Sequence, residues 1–295
     1  MRVLITGASG LFGSKLAELA SARAFQVYSG YSRNLATFGV PVQFNVSENN
    51  RVNEVFKKVN PEVVVHAAAL TDVDKCEHCK DLAWKINVDG TRNIVEAVKS
   101  SHAFLVYIST DYVFNGEKGC YKETAIKDPV NYYGFTKLVA EELVEGLDEY
   151  CIARASVIYG SNPAAGKINF ALWLINQLEK KAPVKIVTDQ WNSPTFNTNL
   201  ADMTLELIER KLTGTFHLSG ATRISRFDFA KLLAQTFMLD DSLVNPCLAA
   251  DFSWVAKRPR DSSLDTTKAH RTLRNKPLPI KRALEIMKHE TAHTH

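Results

Sequence analysis

The chain has 295 residues, 45% of them hydrophobic and 23% charged, a composition that buries a core and excludes a disordered tract. Length alone suggests roughly two domains' worth of folded mass. Thirty-six basic against 32 acidic side chains leave a net charge of +4, scattered along the chain, which excludes the concentrated basic face of a nucleic-acid binder. The longest apolar stretch, Val63 to Leu70, is interrupted by His66 and falls far short of the ~20 residues of a membrane span. The N-terminus reaches glycine after four apolar residues, unlike a secretory signal, and five cysteines without such a signal read as reduced thiols. The expectation is a cytoplasmic protein.

The first half alternates β-branched runs with amphipathic stretches. In order, the pattern predicts a strand at Arg2–Thr6, a helix at Leu11–Ala22, and strands at Phe25–Tyr31 and Val42–Phe44. A helix at Asn49–Val59, a strand at Val63–Ala67, a long helix at Leu82–Lys99 and a strand at Phe104–Ser109 follow. A helix over Tyr132–Leu147 and a strand over Cys151–Ala155 complete the alternation. Continuous apolar strands separated by helices indicate a doubly wound parallel α/β sheet of the Rossmann kind. Beyond Gly160 the alternation loosens. Helical patterns at Phe170–Lys180, Leu200–Lys211 and Arg226–Phe237 and a strand at Thr215–Leu218 suggest a smaller α+β lobe, with segments near 189–220 returning to the sheet. His289–His295 reads as a frayed polar tail.

Gly7, Gly10 and Gly13 stand in TGASGLFG, between the first strand and the first helix. Glycine there lets the backbone turn sharply and approach a dinucleotide diphosphate at the helix N-terminus. The end of the second strand ordinarily separates NAD from NADP, a carboxylate favouring the ribose hydroxyls of the former. Between Leu19 and Ser47 the chain has no Asp or Glu, and Tyr31-Ser32-Arg33-Asn34 occupies the strand end. Arg33 offers a planar cation and Ser32 a hydroxyl to a 2′-phosphate, so NADPH is expected over NADH; the alternative for Arg33 is an exposed loop residue.

Tyr133 and Lys137 lie four apart in a helical pattern, hence on one face, where an ammonium lowers the pKa of a neighbouring phenol. Upstream, Ser109-Thr110-Asp111-Tyr112 follows a buried strand, placing a hydroxyl where it can hydrogen-bond a substrate carbonyl. Cys76 and Cys79 have C-x-x-C spacing, but zinc needs four ligands and no second pair is near, and a redox motif opens a helix after a strand. That pair is expected in a loop–helix stretch behind the active site. His66 reads as a hydrogen-bonded core or cofactor-facing residue.

Together these residues resemble the extended short-chain dehydrogenase/reductase superfamily, and within it the dTDP-4-dehydrorhamnose reductase family. The resemblance is carried by His66–Glu77, by Ser109-Thr-Asp-Tyr-Val-Phe-Asn-Gly116 and by Pro129–Gly134. It continues through Asp189-Gln190, Pro194-Thr195, Phe216–Gly220, Arg258-Pro259 and Ser262–Asp265. It implies a catalytic set of Thr110, Tyr133 and Lys137, of which Tyr133 and Lys137 also contact the cofactor. It also implies a diphosphate cradle of Gly7, Ser9, Gly10, Leu11, Phe12 and Gly13, with Asn45-Val46 flanking the adenine and Ala67, Ala68 and Ala69 lining the cofactor. Lys75, Thr110, Asp111, Tyr112, Gln190 and Arg260 are the expected substrate contacts, and the substrate is a nucleotide-linked 4-keto-6-deoxy sugar. Residues 1–160 would form the NADP(H)-binding domain, and 161–188 with 221–295 the substrate lobe. A homodimer is one expected state.

Two departures stand out. Rhamnose-pathway members usually carry tryptophan in a strand-end S-W-V-Y-G, whereas this chain has Ser156-Val157-Ile158-Tyr159-Gly160, which removes a sugar-stacking surface and predicts loose substrate preference. Some members hold magnesium at a carboxylate cluster, but Asp189 is followed here by Gln190 and no metal is expected. Two other readings stay open: a cofactor-binding regulatory subunit like that of methionine adenosyltransferase, and an epimerase or dehydratase with tightly held NAD. The missing acid after the second strand argues against the latter.

Overall fold

The computed structural model describes residues 1–162, 164 and 168–292. Its first half runs β1 (Arg2–Thr6), α1 (Leu11–Ala22), β2 (Gln26–Tyr31), β3 (Val40–Gln43), α2 (Asn49–Val59), β4 (Val63–His66), α3 (Val73–His78) and α4 (Lys80–Trp84). A π turn over Lys85–Asp89 leads into α5 (Gly90–Ser101), β5 (Phe104–Thr110), α6 (Tyr132–Glu145) and β6 (Tyr150–Ala155). The second half runs β7 (Ile158–Tyr159), α7 (Phe170–Glu179), β8 (Val184–Val187), β9 (Trp191–Asn192), β10 (Thr195–Phe196), α8 (Asn197–Arg210) and β11 (Gly214–His217). It ends with β12 (Ile224–Ser225), α9 (Arg226–Thr236), β13 (Val244–Cys247), α10 (Thr267–Thr272) and α11 (Ile280–Ala292). Among the described residues, no helix is long and apolar enough to cross a membrane.

Seven strands form one parallel sheet in the order β11-β6-β5-β4-β1-β2-β3. The chain winds outward from β1 through β2 and β3, then returns to β4 on the other side, so the switch in direction falls between β1 and β4. Ligands of such sheets sit at the carboxyl ends of the strands beside that switch. Burial explains why the strands read as unbroken apolar runs: β4 and β5 are buried at every position. Alternate residues of β1 serve opposite faces. Val3 and Ile5 pack with Leu16, Ala17 and Ala20 of α1 and with α8, while Leu4 packs with Val52, Val55, Ile94, Val98 and Ala140 of α2, α5 and α6. Each such side chain withdrawn from water contributes about 1.5–3 kcal/mol against the entropy of ordering the chain.

A third core gathers Leu174, Ile186, Phe229, Leu233, Val244, Leu284 and Met287 from α7, β8, α9, β13 and α11. Three expectations are corrected here. The helix expected over Leu82–Lys99 is broken by the π turn. Residues 221–295 do not all serve the smaller core, because Ala269 of α10 and Leu273 pack in the α1–α8 core. His289 belongs to α11, which runs to Ala292 and whose Glu290 accepts hydrogen bonds from Ser161 and Thr198; residues 293–295 lie outside the described residues. Amphipathic packing of Ile280, Ala283, Leu284 and Met287 orders that segment despite its polar composition.

Candidate active site

Thr6 ends β1, and Gly7 turns with φ +69°, in the left-handed region that glycine adopts without strain. A Cβ on Gly7 would stand 2.8 Å from the Ala68 backbone nitrogen, and one on Gly13 2.3 Å from the Gly7 carbonyl oxygen. Their absence lets the β1–α1 loop lie against Ala67–Ala69 after β4. Helix α1 opens at Gly10 with no side chain bonded to its free amides and no acid in its first turn, an arrangement that fits a diphosphate anion. Phe12 is buried in the core, so only its backbone faces that cradle. His66 joins the two loops: its Nδ1 lies 2.7 Å from Thr6 Oγ1 and its Nε2 3.1 Å from Thr91 Oγ1, while Thr6 Oγ1 accepts from the amides of Ala67 and Ala68. Burial lowers the imidazole to about 3, so it is neutral.

Ser32 and Arg33 follow β2 as exposed residues, and among the described residues Arg33 makes no ion pair. Asn45 Oδ1 accepts from the Ser47 amide at 3.1 Å, and the Val46 carbonyl accepts from Asn93 Nδ2 at 2.9 Å, which pins this segment to α5.

Tyr133 and Lys137 share α6. That helix is capped by Asn131 Oδ1, which accepts from the Gly134 amide at 2.9 Å, and Glu77 Oε2 accepts from the Tyr132 amide at 3.0 Å. A Cβ on Gly134 would fall 2.2 Å from the Tyr112 carbonyl oxygen, so the glycine is what permits α6 to press against the turn after β5. Lys137 Nζ donates to the Ile108 carbonyl at 2.7 Å and lies 4.1 Å from the centroid of the Tyr107 ring. Burial lowers the lysine to about 7, opposed by Glu141. Burial also pushes the Tyr133 phenol up, opposed by the Thr110 hydroxyl beside it. This reverses the expectation that the lysine lowers the phenol: the ammonium is aimed at Ile108 and Tyr107, and desolvation governs both groups.

Asn87 escaped the sequence reading. The π turn directs its Oδ1 to the Leu70 amide at 2.8 Å and its Nδ2 to the Leu70 carbonyl at 3.2 Å and Thr136 Oγ1 at 3.0 Å. It therefore ties the segment after β4 to α6 beneath Tyr133. Its trace in the sequence is the cluster of weak helix formers Asn87, Asp89 and Gly90 within an otherwise periodic stretch.

A cavity of about 310 Å³ opens beside Tyr112, lined also by Thr71, Asp72, Val73, Gln190, Arg226, Trp254 and Arg258. Of the residues expected to contact substrate, Tyr112 and Gln190 are in this lining. Lys75 is exposed on α3 and Arg260 lies 5.8 Å over Trp191, both outside the lining. Arg258 takes the basic position instead, pairing with Asp74 at 2.7 and 3.0 Å, while Arg226 enters from the start of α9. Trp254 brings an aromatic ring to the cavity lining, with the Phe252 ring centroid at 5.1 Å and the Arg258 guanidinium at 5.3 Å.

Asp111, expected to contact substrate, is not in this lining. It is 2% exposed, and its carboxyl oxygens accept from Thr110 Oγ1 at 3.0 Å, Ser156 Oγ at 2.8 Å and Ser262 Oγ at 2.5 Å. The turn after β5 rotates it inward while Tyr112 faces the cavity. Cys76 packs with Tyr133 and Ala83 rather than behind the site, donates to the Leu70 carbonyl at 3.4 Å, and is pushed up to about 12 by burial. Such a thiol is a packing group.

With this geometry the comparisons agree. A family model described as the RmlD substrate binding domain matches residues 1–292. The dTDP-4-dehydrorhamnose reductase of Aggregatibacter actinomycetemcomitans is 31% identical over 96% of this chain and 97% of its own. Methionine adenosyltransferase 2 subunit beta of Bos taurus is 32% identical over 90% of this chain and 81% of its own. The crystal structure of dTDP-4-dehydrorhamnose reductase from Bacillus anthracis in complex with NADP superposes with a TM-score of 0.89 at 32% identity, covering 98% of this chain and 99% of that one. A match that spans all three cores and the whole site places the chain in the RmlD family of the extended short-chain dehydrogenase/reductases.

Proposed function

We propose that this protein uses NADPH to reduce the C4 ketone of a nucleotide-linked 4-keto-6-deoxy sugar, the chemistry of dTDP-4-dehydrorhamnose reductase in dTDP-L-rhamnose synthesis. The observation that carries the reading is the contact between cavity and catalytic set: Tyr112 lines the cavity, and its ring lies 6.0 Å from that of Tyr133. Bound NADPH supplies the hydride that reaches C4. Tyr133 donates its proton to the carbonyl oxygen as negative charge develops there. Thr110 would orient the carbonyl, and Lys137 would hold the ribose of the cofactor beside Tyr133. Gly7, Ser9, Gly10, Gly13 and the backbone of Leu11 and Phe12 would hold the diphosphate, Asn45 and Val46 the adenine, and Ala67–Ala69 the inner face of the cofactor. Ser32 and Arg33 would take the 2′-phosphate, favouring NADPH over NADH. In the cavity, Arg226 and Arg258 suit the diphosphate of the sugar nucleotide, Gln190 its hydroxyls and Trp254 an apolar ring face, with Lys75 and Arg260 at the rim. The same reading assigns cofactor binding to residues 1–160, substrate binding to the smaller core, and a cytoplasmic location to a homodimer.

The test is a panel of keto-sugar nucleotides, followed by loss of NADPH absorbance. Turnover with a 4-keto-6-deoxy sugar nucleotide is expected, and no oxidation across the panel overturns the reading. The second reading, a regulatory subunit, is favoured by the 32% identity to methionine adenosyltransferase 2 subunit beta. It predicts tight NADPH binding without turnover and co-purification with another enzyme.

A further inference from the structure

The segment Ala256-Lys257-Arg258 is clamped to two helices that serve the site. On one side, the Asp74 carboxylate of α3 accepts from the Ala256 amide at 3.0 Å and from the Arg258 guanidinium at 3.0 and 2.7 Å. On the other, Asn131 Nδ2 donates to the Lys257 carbonyl at 2.8 Å. The residues that follow are held as well: the Trp191 amide donates to the Arg260 carbonyl at 2.8 Å, and the Asp261 amide to the Gly116 carbonyl at 2.9 Å. Arg258 lines the cavity, and three of its five N–H groups are taken, two by Asp74 and one by the Ala256 carbonyl at 2.7 Å. Among the described residues the other two meet no acceptor, which leaves them for an anion in the cavity.

Asn131 does two things with one buried amide. As the N-cap of α6 its Oδ1 accepts from the Gly134 amide at 2.9 Å, one residue beyond Tyr133. Capping alone needs only an acceptor, and Asp or Ser supplies one equally well. What the amide adds is a donor, and that donor reaches 126 positions along the chain to Lys257. Helix α3 closes a second bridge between the same two parts, because Glu77 Oε2 accepts from the Tyr132 amide while Asp74 holds Arg258. We propose that Asn131 is a positioning residue for the reduction: it fixes the segment that brings Arg258 to the cavity at one distance from the helix turn that carries Tyr133, so that a sugar nucleotide gripped by its diphosphate presents its carbonyl to the phenol. A displacement of about 1 Å between the anion grip and the proton donor is enough to cost about a hundredfold in rate.

The inference rests on the proposed function, and two readouts separate them. Asn131→Asp keeps the capping acceptor and turns the donor into an oxygen that repels the Lys257 carbonyl. It should lower kcat about tenfold to a hundredfold, while the KM for the sugar nucleotide stays within about threefold because Asp74 still holds Arg258. In an Arg258→Ala background, where this segment grips no diphosphate, the same change should alter kcat by less than about threefold. Asn131→Ser, which caps the helix but is too short to reach Lys257, should repeat the pattern and serves if Asn131→Asp folds poorly. No loss in the wild-type background, or equal losses in both, overturns the positioning role. Hydrogen exchange reads the link without substrate or turnover. In Asn131→Asp the Ala256 amide should exchange at least about fivefold faster, and the Gly134 amide at close to its wild-type rate. Unchanged exchange at Ala256 refutes the link even if wild-type protein reduces no keto-sugar, an outcome that would by itself refute only the proposed function.

Discussion

Lys137 gives the sharpest quantitative test, because the fold holds it at a cost. Its ammonium is buried and donates to Ile108 O, and burial brings it from the usual 10.5 to about 7. The unfolded chain has a lysine of ordinary pKa, so between about pH 7 and 10.5 the unfolded state binds more protons than the native state, and stability rises with pH across that window. Below it both states are charged and the full penalty applies. The difference between 10.5 and about 7, at 1.36 kcal/mol for each pH unit, is a penalty of about 5 kcal/mol. Lys137→Met keeps the stem and removes the charge. It removes the hydrogen bond to the buried Ile108 carbonyl, which costs about 1–3 kcal/mol. Lys137→Met should therefore unfold at higher urea than wild type at neutral pH, by about 2–4 kcal/mol, and the advantage should shrink by about 2 kcal/mol between pH 7 and pH 9. The same variant should lose kcat by roughly a hundredfold or more, since a member of the proposed catalytic set is gone. Urea titrations of both proteins at several pH values are the assay. A stability difference that does not change with pH would refute the reasoning, because only a native lysine of lowered pKa produces the slope.

Tyr133→Phe keeps the ring but removes the proton donor, and kcat should fall by about 10²–10⁴ with NADPH affinity nearly unchanged. Tyr132→Phe, on the neighbouring position where the ring packs against Lys80 and Phe135, should stay near wild type in the same assay. Arg33→Ala should raise the KM for NADPH about tenfold, or about 1.4 kcal/mol, and leave that for NADH almost unchanged; equal effects on both would remove Arg33 from the 2′-phosphate site. Trp254→Ala should raise the KM for the sugar nucleotide roughly two- to tenfold, the worth of one stacking face, with kcat and cofactor KM little affected.

Where local sequence dictates local structure, the chain was legible. Helices α1 and α2 begin and end at the expected residues, since their apolar periodicity lies beside clear breaks, Gly10 before one and Asn60-Pro61 after the other. The placement of the glycine loop, Thr110, Tyr133 and Lys137 in their elements was likewise readable, because each depends on a spacing within one strand–loop or one helix turn. The reading failed where a residue's role is set by distant partners. Asp111 stands in a motif that suggests substrate contact, but Ser156 and Ser262, 45 and 151 positions away, claim its carboxyl oxygens. Trp254 and Arg258 belong to no local pattern, and they enter the cavity because Asp74 on α3 pairs with Arg258. The phenol and lysine carry adjacent positions on one helix face, yet their proton affinities follow from desolvation by β5 and the π turn, a quantity that no spacing expresses. Periodicity and turn chemistry act over a few residues and can be read along the chain. Burial, charge pairing and the direction of a hydroxyl proton arise only when segments far apart in sequence close around the same atom.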